Sequence, residues 1–213
     1  MRKFLLLIAV LVSVALTGCS NPAANKPAAT VGNAAQESNT PKPASTETLV
    51  ITPENSKVEF VASKVTRSHY GSFKQFKGSI GLAGDVPNSV ANSSVKIDIE
   101  TASVDVDDPD LTAHLKTPDF FDVAKFPKAN FTSTKIDAAG GDNYTVTGNF
   151  DLHGVKKSIS FPATIKVAAD NVAVDAEFAI NRKDFGIVYA GKADDLIRDQ
   201  VVIKLNLRVP RKK

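Results

Sequence analysis

The chain has 213 residues, 43% of them hydrophobic, with one cysteine and no tryptophan. Its formal charge of +3 arises before residue 47, where Arg2, Lys3, Lys26 and Lys42 face only Glu37, so that 22 basic and 22 acidic residues remain in 47–213. A balanced domain lacks the basic face that nucleic acids require, and a single cysteine excludes an intrachain disulfide.

In chain order, Arg2 and Lys3 precede an apolar run over residues 4–16 that is too short to cross a bilayer and reads as the core of a signal peptide. It ends in Leu16-Thr17-Gly18-Cys19, which resembles the lipobox of bacterial lipoproteins. That resemblance implies removal of residues 1–18 and acyl chains, palmitate among them, on the Cys19 thiol and the new amino group. Two or three chains exceed the limit of single-chain anchoring, since each buried methylene contributes ~0.8 kcal/mol. Ser20, rather than an aspartate, follows the cysteine. By analogy with lipoprotein sorting in two-membrane bacteria, this points to the periplasmic face of the outer membrane.

Residues 19–46 read as the acylated cysteine and a disordered tether. Residues 20–46 hold seven alanines, four prolines and four asparagines, with Val31 the only large apolar side chain. Such a segment buries too little surface to offset its ordering entropy. As a flexible coil it would reach roughly 25–30 Å and leave the orientation of the folded domain free.

Residues 47–213 form one domain, long enough for a single sizeable core. Period-two alternation dominates it. Val58, Phe60 and Ala62 share a face, as do Val95, Ile97 and Ile99, then Tyr144, Val146, Phe150 and Leu152. The pattern recurs at Ile159, Phe161, Ala163 and Ile165, at Val172 through Ile180, and at Val201 through Val209. The opposite face is polar nearly throughout, which marks antiparallel strands with one face on an interior and one in water. Gly140-Gly141-Asp142-Asn143, His153-Gly154 and Asp170-Asn171 supply hairpin turns. The rhythm breaks over 107–125, where Asp110 could cap a short helix over 111–116 and Asp119 another over 120–124, with Pro118 between. About eight strands with one helical interruption predict an all-β fold, an extended antiparallel β-barrel, because closure removes exposed edges. A barrel of ~8 strands either fills with its own side chains or holds one small ligand. Alternation leaves both open.

Five blocks carry a resemblance: GSFKQFKG (71–78), HLKTPDFFDVAKFPKANF (114–131), GNFDLHGVKKSISFP (148–162), INRKDFGI (180–187) and LIRDQVVIKL (196–205). Together they are similar to the YceI-like family of lipocalin-shaped, polyisoprenoid-binding proteins. The resemblance implies a barrel around an apolar tunnel, export to the periplasm, and a long-chain isoprenoid or other apolar lipid with a polar head. Two departures stand out. Many relatives begin the domain with a tryptophan, where this chain has Leu49-Val50-Ile51, and many carry a histidine where it has Lys64.

Candidate ligand-binding residues follow from strand parity. Phe60, Phe150, Phe161 and Phe178 point inward on four strands and are expected to contact a lipid tail. Lys64 and Arg182 continue inward runs at strand ends, where an unpaired buried charge is too costly to persist. Either they grip a phosphate or carbonyl head group at the barrel mouth, a geometry that suits a guanidinium, or each pairs with a carboxylate such as Asp184 or Asp119 or reaches solvent. His69, His114 and His153 lack the spacing of a metal site. His114 is expected to fix its loop by hydrogen bonds, and His69 to be the most exposed of the three. No Gly-x-Ser-x-Gly elbow, phosphate loop or free nucleophilic cysteine is present, so the chain reads as a binding module with no catalytic residue and no cofactor. The alternatives are a structural or stress-response lipoprotein with a filled barrel, or an enzyme acting on bound lipid. Oligomeric state is not legible.

The lipobox reading makes a direct prediction. Cys19→Ala abolishes incorporation of labelled fatty acid and releases the protein from the membrane fraction or leaves an uncleaved precursor. Label recovered in that variant would refute it.

Overall fold

A computed structural model describes residues 21–35, 47–83 and 89–211; Cys19 and the signal-like run lie outside them. The described strands in chain order are β1 (Thr30–Asn33), β2 (Glu47–Ile51), β3 (Ser56–Ser63), β4 (Ser68–Phe73), β5 (Phe76–Leu82), β6 (Ser94–Glu100), β7 (Val104–Val106), β8 (Lys128–Ala138), β9 (Asn143–Leu152), β10 (Val155–Val167), β11 (Asn171–Asn181), β12 (Gly191–Lys192), β13 (Asp195–Leu196) and β14 (Gln200–Pro210). Two short helices, α1 (Ser89–Asn92) and α2 (Pro109–Leu115), interrupt them. No helix among the described residues is long and apolar enough to cross a membrane.

The strands make a curled antiparallel sheet of lipocalin-like barrel form. Its shorter strands are halves of longer runs. β2 and β3 form one run bent at 52–55, β4 and β5 another bent at Lys74-Gln75, and β6 and β7 a third bent at Thr101–Ser103. Hydrogen bonds Lys74 N–H to Ser103 O and Glu100 N–H to Gln75 O carry the ladder across the last two bends. Counted this way, eight long runs follow one another, β8, β9, β10, β11 and β14 being the remaining five. The circuit closes because β3 pairs with β14 on one side, Val61 opposite Val202, and with β4 on the other, Val61 opposite Tyr70.

The two ends differ. At one, α1 and the turns at 139–142 and 168–170 cap a packed core in which Leu49, Ile51, Leu82, Leu207 and Val209 are essentially inaccessible. At the other lie the connections 64–67, 107–127, 153–154 and 182–199. The β9–β10 turn there needs a left-handed backbone, with His153 at φ 54° and Gly154 at φ 73°. A side chain on Gly154 would run into the Phe126 ring.

Two local expectations change. Asp108, not Asp110, caps α2, its Oδ1 accepting the Asp110 and Leu111 N–H groups at 3.1 Å each. This fits Pro109 at the first helical position, where its missing N–H costs nothing. Residues 120–124 form turns rather than a second helix. Just beyond β14, the Arg211 guanidinium meets Glu47 at 2.8 Å and ties the last strand to the start of β2.

The described part of the expected disordered tether is ordered. β10 and β11 pair only over Thr164–Val167 and Val172–Asp175, then part toward the end bearing 182–199. Residues 27–33 enter that gap. Thr30–Asn33 pair antiparallel with residues 157–160 of β10, and Pro27 O and Ala29 N–H bond the two backbone groups of Ala179 on β11. Ala23 packs with Val61, Ala179 and Val202 on the outer wall, and Lys26 meets Glu177 at 2.7 Å. Asn149, only 4% exposed, exchanges two bonds of 2.9 Å with the Ala35 backbone. Composition misjudged this stretch because backbone pairing, not side-chain burial, holds it.

Asn149→Ala should lower stability by about 1 kcal/mol, the net worth of such bonds, and accelerate amide exchange at Thr30–Asn33 more than elsewhere in the wall. Acid acts in the same direction. The bond from Lys26 holds the Glu177 carboxyl below its usual pKa. Its contribution is therefore complete above the ordinary carboxylate value and is lost as pH falls through the lowered one. Amide protection at 27–33, taken relative to the intrinsic exchange rate at each pH, that is greater in acid below the ordinary carboxylate value than at neutral pH would contradict this.

Candidate functional site

Inward parity converges on a void between the packed core and the connections at the other end. It measures about 1170 Å³, its mouth included. Among its lining residues only Arg182 and Glu59, whose side chain alternates to the outer face between Val58 and Phe60, are charged; the rest are apolar. Leu115, Phe120, Phe121, Ile187 and Ile197, from the connections 107–127 and 182–199, line it at the mouth end. Phe73, Phe150, Val201, Ile203 and Leu205 also line it and keep part of their surface accessible. Side chains thus fill one half of the barrel and leave the other half open.

All four expected phenylalanines line this void. Phe161 and Phe178 stack nearly parallel, with ring centroids 4.1 Å apart, and Phe131 adds a tilted contact to Phe161 at 5.7 Å. Phe60 meets Phe73 at 5.7 Å, which in turn takes Phe121 edge-on at 5.6 Å. Phe150 abuts Phe185, beneath the 182–199 connection. Two glycines make room for these rings. A side chain at Gly71 would collide with Phe60 and one at Gly148 with Phe131. Sequence reasoning missed Phe73, Phe121 and Phe131 as lining residues, although Phe131 shares the inward parity of its own strand.

The two cations do not form one head-group clamp. Arg182 lines the void and is 4% exposed, but its guanidinium is engaged by protein. It donates to the carbonyls of Ile187 at 2.6 Å, Arg198 at 3.1 Å and Ile197 at 3.3 Å, with Asp199 at 3.4 Å. Burial pulls its pKa below the usual guanidinium value, and Asp199 opposes that shift. The predicted carboxylate partners were Asp184 and Asp119; the observed one is Asp199. Lys64 is not among the lining residues. Its ammonium leaves the lumen to meet Asp195 at 3.1 Å, with about a third of the side chain exposed. Thr66 first, then Lys64, hold the Asp195 carboxyl below its usual pKa.

The histidines are placed as follows. His114 Nε2 meets Asp119 at 2.7 Å while its ring lies edge-on to Phe120 and Tyr189, fixing the loop as expected. His69 differs: it is 7% exposed on β4, with Asp107 at 3.2 Å. Among the described residues no three metal-ligating side chains cluster.

This geometry separates the two cations by stability. Arg182→Met leaves three carbonyls without their donor, at about 1–3 kcal/mol for each that stays buried, and should loosen 187–199. Lys64→Gln should cost only about 0–1 kcal/mol, as an exposed pair does. Urea denaturation measures both. An Arg182→Met protein of wild-type stability would show that Arg182 does not hold the mouth together.

Known proteins place this architecture. "Protein YceI" of Salmonella arizonae is 36% identical over 124 residues, which is 55% of this chain and 63% of that protein. A "UPF0312 protein" of Azotobacter vinelandii is 38% identical over 94 residues, 44% of this chain and 47% of that one. The aligned region thus spans from about half to under two thirds of these relatives. Among solved structures, Burkholderia cenocepacia BcnA superposes with TM-score 0.66 at 27% identity, covering 74% of this chain and 98% of BcnA. A polyisoprenoid binding domain from Saccharophagus degradans, implicated in plant cell wall breakdown, superposes with TM-score 0.63 at 20% identity over 78% of this chain and 99% of that domain, a likeness of fold. The YceI-like domain model matches residues 49–209, and the chain belongs to that family.

Proposed function

We infer that this protein is a lipid-binding module that holds a long apolar chain, of polyisoprenoid class, in the open half of its barrel. The observation that carries the reading is the unfilled lumen. Apolar side chains at inward positions, Ile203, Leu205 and Phe150 among them, line a void open at the mouth and retain accessible surface there. Apolar surface left against water is unfavourable by roughly 25 cal/mol per Å², a deficit that a hydrocarbon tail removes. The isoprenoid class is supported by the likeness of fold to the Saccharophagus degradans domain. The residues that meet the tail are Phe60, Phe150, Phe161 and Phe178. Arg182 positions the mouth loop rather than clamping the head group, and no residue is given a catalytic role. In this reading the protein is exported, acylated at Cys19 and held at the periplasmic face of the outer membrane, where it stores or carries its lipid.

Native mass spectrometry of the protein released from bacterial membranes in mild detergent should reveal one lipid of isoprenoid mass per chain. Phe178→Ala should retain less of it while losing less than the ~3–5 kcal/mol typical of a close-packed aromatic. A full core-like loss in that variant, with no lipid on the wild type, would refute the reading in favour of a self-filled barrel.

A further inference from the structure

We propose that the mouth of the barrel docks directly on a lipid bilayer, which is the partner of its rim. The proposal rests on the acyl anchor at Cys19 for its attachment and on two observations of the fold for its orientation.

The first is where the ordered chain begins. Asn21 opens a turn whose Ala23 packs on Val61, Ala179 and Val202. These three residues lie on the outer wall within two or three positions of the mouth ends of β3, β11 and β14. Residue 19 is two positions before Asn21, so an anchor there sits within about 7 Å of that turn. The wall-bound segment 21–35 therefore brings the mouth end to the membrane, where a free tether would let the barrel swing.

The second is the distribution of exposed apolar side chains. Five large ones among the described residues are between 49% and 63% exposed. Val65, Leu196 and Val188 belong to the mouth connections, with the Val65 N–H bonded to the Leu196 carbonyl at 3.1 Å. Tyr70 stands beside Val61, next to the Ala23 contact. Only Val50 lies toward the packed end. Apolar groups gathered at one rim mark an interaction surface, and an anchor beside that rim selects a bilayer as its occupant. The rim's acids and bases offset one another, as in Lys64 with Asp195 and Lys183 with Asp199, so the docking is apolar rather than electrostatic.

The absence of tryptophan supplies the test. Single reporters are placed by Val65→Trp, Leu196→Trp and Val50→Trp in the full chain, which is then bound to vesicles of phosphatidylethanolamine and phosphatidylglycerol containing brominated acyl chains. The mass of the N-terminal peptide reports on the anchor separately. If Cys19 is acylated, the protein is reconstituted as purified. If it is not, the anchoring reading falls, and the thiol of Cys19 is coupled to a maleimide-bearing lipid so that docking is still decided. Tryptophans at 65 and 196 should lose fluorescence by about twofold or more, as side chains entering ~5–10 Å into the interface do, while that at 50 stays unquenched. Equal quenching at all three positions, or none at 65 and 196 on bound protein, overturns the proposal. So does protection of the rim by a second copy of the chain rather than by lipid.

Discussion

A wall around an apolar lumen must pair every backbone donor and acceptor it buries, because an unpaired group costs about as much as a hydrogen bond gains. Eight long runs meet that requirement for most of the circuit, but β10 and β11 abandon each other beyond Thr164 and Asp175. The groups left over are those of residues 157–160 and of Ala179, directly behind lumen residues Ile159, Phe161 and Phe178. Residues 27–33 supply their partners. The barrel is complete only with a segment from outside the repeating strand pattern, and edge exposure, the usual hazard of a sheet, is managed there by chain of very low hydrophobicity.

The mouth obeys the same rule with a side chain in place of a strand. Residues 187–199 cross the end of the barrel with little regular structure of their own, and the Arg182 guanidinium collects three of their carbonyls. A buried charge is tolerated because its donors are used and Asp199 lies close. The result is an electrically quiet entrance: among the described residues the one buried cation beside the lumen is spent on its own protein, so that in the proposed reading selection falls to shape and hydrocarbon contact. This agrees with the proposed holder of an apolar chain more than with a reader of head groups.

The wall was legible because side-chain period two and burial are the same fact written twice. Val58 and Phe60, or Phe161 and Phe178, could alternate with polar residues only by facing one interior, and hairpin signals such as His153-Gly154 fixed their order. The resemblance of five sequence blocks added the family. What escaped was encoded elsewhere. Thr30–Asn33 pairs through its backbone with three of its four residues exposed, so no periodicity advertises it. Parity sent Lys64 inward, but a long flexible stem at a strand end could follow the nearest carboxylate, Asp195, out of the lumen. His69 was expected to be the most exposed histidine, yet β4 runs straight through it and buries its ring. Whether the lumen was full could not be read at all: it depends on how rings from different strands, such as Phe161 and Phe178, share one volume.

The inserted segment also orders events in time. Thr30 pairs with Ser160, 130 positions later, so the earliest part of the wall to leave the ribosome is among the last able to take its place. Long-range pairing of this kind is intrinsically slow, because loop closure precedes any reward. Until β10 and β11 exist, residues 21–35 have nothing to pair with and stay accessible next to Cys19. Under the acylation proposed for Cys19, the enzymes that would cut and modify the N-terminus meet an open chain in nascent protein and a docked segment 21–35 after folding, which would make the moment of folding the deadline for maturation.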